Sequence, residues 1–469
     1  MPKFKTPGVY IEETSTKIPA IAQVETAVPV FIGHTEKTTA SLLLKPKRIN
    51  SLVAYESFFG GPVNEAVTVD IKDSFDVDSK LVNRVLDAKF TNSQSNYFLF
   101  HCIKHYFDNG GGSCYIISIG DYQRDLIVGD SSSGFLGGLE VVKKEREPTL
   151  LLFPEAVNLE LAEYTTIVKT ALNQCADLNR FVLVDFKGDI SNAKVVQDFR
   201  SHMVGDNLNY GAAYAPDLTT IFQCGYAEHT ITINHFQDVA GTANPLPTGV
   251  ENHSGSGTDL KNQQPALFIQ AEKAIKQLKV VLPPSAAIAG IYTRIDSSEG
   301  VWKAPANTSV TSVMGLTAEI SNALQEDLNV SLSGISINAI RSFVGRGILV
   351  WGARTMSSND LDFRYINVRR FVSWVEESVK SFLEQLVFEP NDNNTWATVK
   401  AGLQNFLTLL YRDGALAGAT MRDAFFVNIG LGVTMTQTDI DDGTMIVEIG
   451  MAVMHPAEFT IIRILQRME

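Results

Sequence analysis

Apolar runs of two kinds divide this chain. Short continuous runs stand at 26–35 (TAVPVFIGHT), 114–120 (CYIISIG), 149–156 (TLLLFPEA) and 180–186 (RFVLVDF). Bounded by polar turns, they predict strands buried on both faces. Between them lie stretches with helical spacing: SNYFLFHCIKHYFDNGGG (95–112), which ends at glycines, and the region around 159–177. Strand–helix–strand alternation predicts an α/β domain, and NYGAAYAPDL (209–218) continues it. Residues 227–262 are polar and rich in Gly, Asn and Thr, which predicts a long surface loop or a hairpin insertion.

From about 355 the pattern changes. Val368, Phe371, Val372, Val375, Val379, Phe382, Leu383 and Leu386 recur at helical spacing within 365–390, and Pro390 is the expected stop. A second helix is predicted over 395–416, ending near Gly414. The remainder is strand-rich, FFVNIGLG and TMIVEIGMAVMH, with Asp441-Asp442-Gly443 as a turn ahead of the latter. The expected class is α/β for the larger outer part joined to a C-terminal α+β part, hence α+β overall.

The two ends fit neither part easily. In EFTIIRILQR, Phe459, Ile461, Arg463 and Leu465 fall on one face of an extended strand, and Thr460, Ile462, Ile464 and Gln466 on the other. Left unpaired, a strand apolar on both faces is costly in water and prone to aggregate. Near the other end, Val9-Tyr10-Ile11 is a short strand between Pro7-Gly8 and Pro19 and reads as an extended arm. One solution is β-augmentation, in which an arm completes the sheet of another subunit; contacts of that heterologous kind build rings or open helices. Pairing within one chain is the other solution, and pattern alone leaves both open.

Composition narrows the partners. The chain has 469 residues, 45% hydrophobic and 19% charged, enough for two to three domains. Its net charge of −13 argues against direct nucleic-acid binding. The longest apolar stretch, Val280–Tyr292, is broken by Pro283 and Pro284, so no membrane insertion is expected. The N-terminus has no signal-peptide pattern, and the four scattered cysteines fit a reducing compartment. Locally the sign inverts: Arg341, Arg346, Arg354, Arg364, Arg369 and Arg370 face only Asp360 and Asp362.

Candidate chemistry is thin. His101 and His105 have the i,i+4 spacing of metal ligands but no convincing third ligand. DNGGGSC (108–114) follows a helix and precedes a strand, the reverse of a phosphate loop, and reads as a helix-ending turn. GRGILVWG (345–352) reads as a turn into a buried strand, and Glu376-Glu377 and Asp441-Asp442 as solvated surface. No catalytic residue, cofactor or metal is expected.

Six stretches taken together carry a resemblance: TPGVYIEE (6–13), YFDNGGGSCYIISI (106–119), LPPSAAIAGIYTRID (282–296), GVWKAPAN (300–307), GRGILVWGARTM (345–356) and HPAEFTIIRI (455–464). In this order they resemble the contractile tail-sheath family of phage tails, R-type bacteriocins and extracellular contractile injection systems. Residues 120–275 match it only in general character. The resemblance implies a homo-oligomer of hexameric rings in a helical stack around an inner tube protein, with baseplate and terminal cap proteins as further partners. It implies an arm (1–22), an α/β domain (23–354, variable over about 120–275), an inner C-terminal domain (355–450) and a terminal strand (451–469). Val9, Tyr10, Ile11 and Glu12, and Phe459, Ile461, Ile462 and Ile464, would be the strands lent to neighbours. Arg369, Arg370 and Lys400 are candidates to face the tube. Such a protein is no enzyme; it assembles in a bacterial cytoplasm and serves in a phage tail or a released extracellular particle. The alternatives are a soluble monomeric α/β enzyme or carbohydrate-binding module built on 26–350, and a capsid or baseplate component.

Overall fold

A computed structural model describes residues 21–78, 80–239, 255–331 and 333–458. The continuous apolar runs become strands of one sheet: β1 (Pro29–His34) is buried at every position. β2 (Lys47–Ile49) and α1 (Leu52–Phe59) follow, the helix starting where Ser51 accepts from the Ala54 amide. β3 (Val67–Phe75) and β4 (Leu81–Phe90) form a hairpin. α2 (Leu99–Asp108) ends as expected at Gly110, whose φ of 98° lies in the left-handed region. Then come β5 (Cys114–Gly120), α3 (Gly134–Val142), β6 (Leu150–Leu152), α4 (Leu161–Leu178), β7 (Phe181–Asp185), α5 (Ala193–Met203) and β8 (Gly211–Ala215).

Smaller pieces decorate this frame: β9 (Leu218–Thr220), β10 (Thr232–Val239), β11 (Gly255–Ser256), α6 (Gly257–Gln263), α7 (Pro265–Ile275) and β12 (Val281–Leu282). The chain returns through α8 (Ser285–Ser298), β13 (Thr308–Ser309), β14 (Val313–Leu316) and α9 (Asn322–Asn329) to the hairpin β15 (Ile337–Phe343) and β16 (Gly347–Val350).

The main sheet has nine strands in the order β13-β16-β15-β8-β7-β6-β1-β5-β2. Its six central strands, β15 through β5, are parallel to their neighbours. Alternate residues feed two cores. Phe31, Ile116, Leu152 and Leu183 pack with α2 and α8 on one face; Val30, Ile32, Ile117 and Val184 pack with α3, α4 and α5 on the other. This is the three-layer α/β arrangement that the alternation predicts.

The C-terminal part holds α10 (Ile366–Glu384), α11 (Asn393–Arg412), α12 (Met421–Ala424), β17 (Phe425–Asn428), α13 (Gln437–Asp441) and β18 (Glu448–Met451). β17 and β18 pair antiparallel as a two-stranded sheet. The chain divides into two compact units. One comprises Glu25–Ser373 with the described residues from His455 onward, the other Trp374–Met454 with residues up to Val24. Thr355, Met356 and Phe371, in the first unit, are buried.

One expectation changes and two become specific. Of the two readings of 227–262, a hairpin insertion is the one seen: β10 pairs antiparallel with β11 and parallel with β3 in a four-stranded sheet, with Ile233 buried; residues 240–254 lie outside the described set. α10 ends at Glu384, six residues before Pro390, and Phe388 in between takes a left-handed φ of 76°. The apolar stretch after Pro283 and Pro284 is a buried helix, α8.

α8 approaches α2 so closely that a Cβ on Gly290 would lie 2.4 Å from the Tyr106 carbonyl oxygen. Backbone on both sides leaves nothing to yield. Gly290→Ala is expected to destabilise the fold by roughly 2 kcal/mol or more, seen as a lowered melting temperature of the unassembled chain.

Candidate functional site

Residues 1–20 and 459–469 lie outside the described residues, and with them Val9, Tyr10, Ile11, Glu12, Phe459, Ile461, Ile462 and Ile464. Where the chain enters and leaves these segments is well defined. At the N-terminal root, the Trp374 indole Nε1 donates to the Val24 carbonyl at 2.8 Å. Trp374 is itself buried, its ring 5.9 Å from that of Phe406 on α11. Two residues on, the Thr26 carbonyl accepts from Thr149 Oγ1 (2.9 Å) and from Arg370 Nη2 (3.2 Å).

Arg370 does more than hold Thr26. Its guanidinium grips Asp296 with both carboxylate oxygens, at 3.0 and 2.5 Å, and lies 4.5 Å over the Tyr292 ring. The Tyr292 hydroxyl in turn meets that of Tyr214 at 2.8 Å. Both charged side chains are almost wholly buried. Burial works against the arginine's charge, yet Asp296 outweighs it and leaves the pKa raised. Removing either partner of such a pair strands a buried charge, at a cost of about 3–5 kcal/mol.

This corrects the expectation for Arg369 and Arg370 as tube-facing residues. Both are buried, at 4% and 5% exposure, and engaged within their own domain. Arg369 lies over the rings of Tyr210 and Phe363, at 4.7 and 4.3 Å, and donates to Ser373. Their charge is spent inside the first unit, where the opening turns of α10 up to Ser373 pack on its own residues. Lys400, on α11, is half-buried and remains on the surface.

The C-terminal root is a second clamp. Arg354 donates to Glu458 through Nε, to Oε1 at 2.9 Å and Oε2 at 3.2 Å, and through Nη2, to Oε2 at 2.7 Å. Asn329 Nδ2 donates to Oε1 at 2.7 Å and the Tyr365 hydroxyl to Oε2 at 3.1 Å. Arg354 Nη1 also holds the Asn329 carbonyl. Burial alone would raise the Glu458 pKa; the Arg354 and Asn329 hydrogen bonds overcome it and hold the carboxyl below its usual value. Glu458, the last described residue, is thereby fixed in place.

Where an open parallel sheet would bind a ligand, this one is filled. The strand order reverses between β1 and β6, and the crevice at their carboxyl ends is the expected ligand position. Glu155 occupies it, fully buried. Its carboxylate accepts from the His34 amide (2.8 Å) and from the Leu99 amide at the start of α2 (3.0 Å). A side chain thus takes the position an anionic ligand would need. Beside it a cleft of about 360 Å³ is lined by Val157, Leu161, Lys187, Asp198 and Asp217, among others. It contains no His, Ser or Cys, and Lys187 Nζ is committed to the Val157 carbonyl. His101 and His105 are core residues packed on Phe222, both pushed down to about 4, chiefly by burial. The enzyme alternative finds no support in this geometry.

Comparison with known proteins agrees. Residues 166–356 match the phage tail sheath protein central domain, and 358–467 the phage tail sheath C-terminal domain. The tail sheath protein of Burkholderia phage BcepMu is 30% identical over 141 residues, 29% of each chain. That of Vibrio phage KVP40 is 26% identical over 127 residues, 27% of this chain and 19% of the relative. The alignments thus span under a third of these two relatives. Solved structures align throughout. The PVC sheath complex of an extracellular contractile injection system, in its contracted state, is 27% identical. That alignment covers 100% of this chain and 99% of the other, with a TM-score of 0.66. A chain of the anti-feeding prophage baseplate is 30% identical over 99% and 100%, with a TM-score of 0.64. The contracted helical sheath of the same prophage is 27% identical over 99% and 100%, with a TM-score of 0.66. These likenesses are to structural polymers. The chain belongs to the contractile tail sheath family.

Glu458→Gln is expected to destabilise the chain by about 2 kcal/mol at neutral pH, because it removes a charged acceptor from three donors. The carboxyl's folded pKa lies below its ordinary 4.5. Its stabilisation is therefore full above that value and lost as pH falls through the folded one. Urea titrations at pH 7 and pH 3 should show the gap between variant and wild type closing in acid.

Proposed function

We propose that this chain is the structural subunit of a contractile sheath, polymerised as stacked hexameric rings around an inner tube, which shortens to drive the tube through a target envelope. The observation that carries this reading is the β17–β18 sheet. A two-stranded sheet is marginal on its own, and each strand has one edge without a strand partner among the described residues. Phe426 on β17 is 49% exposed, and Leu431, Val433 and Ile446 between the strands are exposed as well. Open edges beside exposed apolar side chains suit strand addition.

On this reading residues 1–22 and 451–469 are the arms. Val9 to Glu12 of one neighbour, and Phe459, Ile461, Ile462 and Ile464 of another, extend the sheet. The clamps at Val24–Thr26 and Glu458 set where each arm leaves its own subunit. Residues 23–354 form the α/β domain and 355–450 the inner domain. Lys400 on α11 faces the tube. Baseplate and cap proteins close the two ends of the stack, and the particle is built in a bacterial cytoplasm as a phage tail or an injection system released from the cell. No residue needs to be catalytic: the work comes from the free-energy difference between two packings of one polymer.

Expressed alone and viewed by negative-stain electron microscopy, the full chain is expected to form long hollow tubes. A variant lacking residues 1–14 should give only small particles. Monodisperse monomers from both would overturn the sheath reading. Separately, Lys400→Glu should leave these tubes intact while lowering co-assembly with the tube protein severalfold in a pull-down.

A further inference from the structure

Arg341 and Arg346 differ from the buried Arg354, Arg369 and Arg370: no carboxylate pairs with either among the described residues. Both belong to the β15–β16 hairpin at one end of the main sheet. Its tip is thrust into solvent, with Val344 fully exposed at 105%. Gly345 and Gly347 take left-handed φ values of 75° and 79°, with open space around both. The Phe343 and Trp351 rings pack at a tilt of 53°, with centroids 4.6 Å apart. The Arg346 guanidinium lies 5.7 and 5.6 Å from these rings, and that of Arg341 lies 5.5 Å from Phe343. Neutral amides finish the orientation: Arg346 donates to Asn307 Oδ1, and Arg341 to Gln325 Oε1. Two cations are thus ordered in advance and electrostatically unanswered. Such preorganisation lowers the ordering cost of binding an acidic surface.

The same chain carries the complement. No Lys or Arg occurs between Arg422 and Arg463. Within that interval the β17–β18 connection carries Asp439, Asp441 and Asp442, and β18 opens on Glu448. Its shape is set by its own bonds, Gly432 N to Met435 O at 2.8 Å and Thr434 Oγ1 to Ile446 O at 2.7 Å. Leu431 and Val433 add exposed apolar surface to match Val344.

We propose that the β15–β16 tip of one subunit docks on the acidic β17–β18 connection of a neighbouring copy, with Arg341 and Arg346 facing Asp441, Asp442 and Glu448. The occupant is a second copy because the two surfaces are opposite in sign, mixed polar and apolar in the same way, and encoded on one chain that polymerises. A contact between two different patches is heterologous and propagates along a polymer. The inference rests on the sheath reading and adds an electrostatic contact to the strand exchange.

The test is a charge swap in the full chain, scored as the fraction pelleting as tubes at about 0.15 M salt. Arg346→Glu alone, and Asp441→Lys with Asp442→Lys alone, should each lower that fraction severalfold. The three substitutions combined should return it to near the wild-type level. Arg346→Glu also loses its in-chain contacts with Phe343, Trp351 and Asn307, so assembly of every variant is scored well below its own melting temperature. Undiminished assembly of the Arg346→Glu chain would overturn the proposal. So would failure of the combined variant to recover, which would point the tip at another partner. A wild-type chain that forms no tubes would instead sink the sheath reading itself.

Discussion

A backbone edge has to find hydrogen bonds, and the β17–β18 sheet has more edge than it can use. Two strands supply too few internal bonds and too little covered surface to stand alone. In the proposed polymer, the strand-like pattern of the chain's ends answers that deficit. Arms rich in strand-forming residues and a sheet short of strands are complementary, and the proposed polymer satisfies both. The same edges would be a hazard in a monomer, where any extended segment could add to them.

An arm is useful only if it leaves its subunit in a fixed direction. The two clamps provide this with different chemistry. Trp374 and Arg370 hold the backbone of Val24 and Thr26 through carbonyl oxygens, so the sequence of the arm itself is unconstrained there. Glu458 is held through its side chain by Arg354, Asn329 and Tyr365, so that one residue is strictly specified. Both clamps use elements that also build a core. α10 carries Arg370 and Trp374, and β16 leads into Arg354. The roots are therefore as rigid as the body that supports them.

Much of this was legible in the sequence, and the failures have physical causes. Continuous apolar runs such as CYIISIG and RFVLVDF gave strands close to the observed bounds, because a strand buried on both faces has no polar positions to confuse it. The β3–β4 hairpin went unread: its outer strand alternates around charged residues, Arg84, Asp87 and Lys89, and resembles a polar linker. The arginine excess at 341–370 was visible, but its meaning was not. Arg369 and Arg370 are adjacent in sequence to apolar core positions of α10, and only three-dimensional packing brings Asp296, Tyr210 and Phe363 to them. Glu155 likewise gave no signal, since a carboxylate that fills a ligand crevice looks like any other glutamate in a sequence.

The four cysteines are all free and all buried. Burial raises every one of their pKa values, that of Cys224 to about 11. The thiolate is the reactive form, so none is poised to oxidise. Buried in this way, the four thiols offer neighbouring copies in a polymer no sulfur with which to form a covalent cross-link.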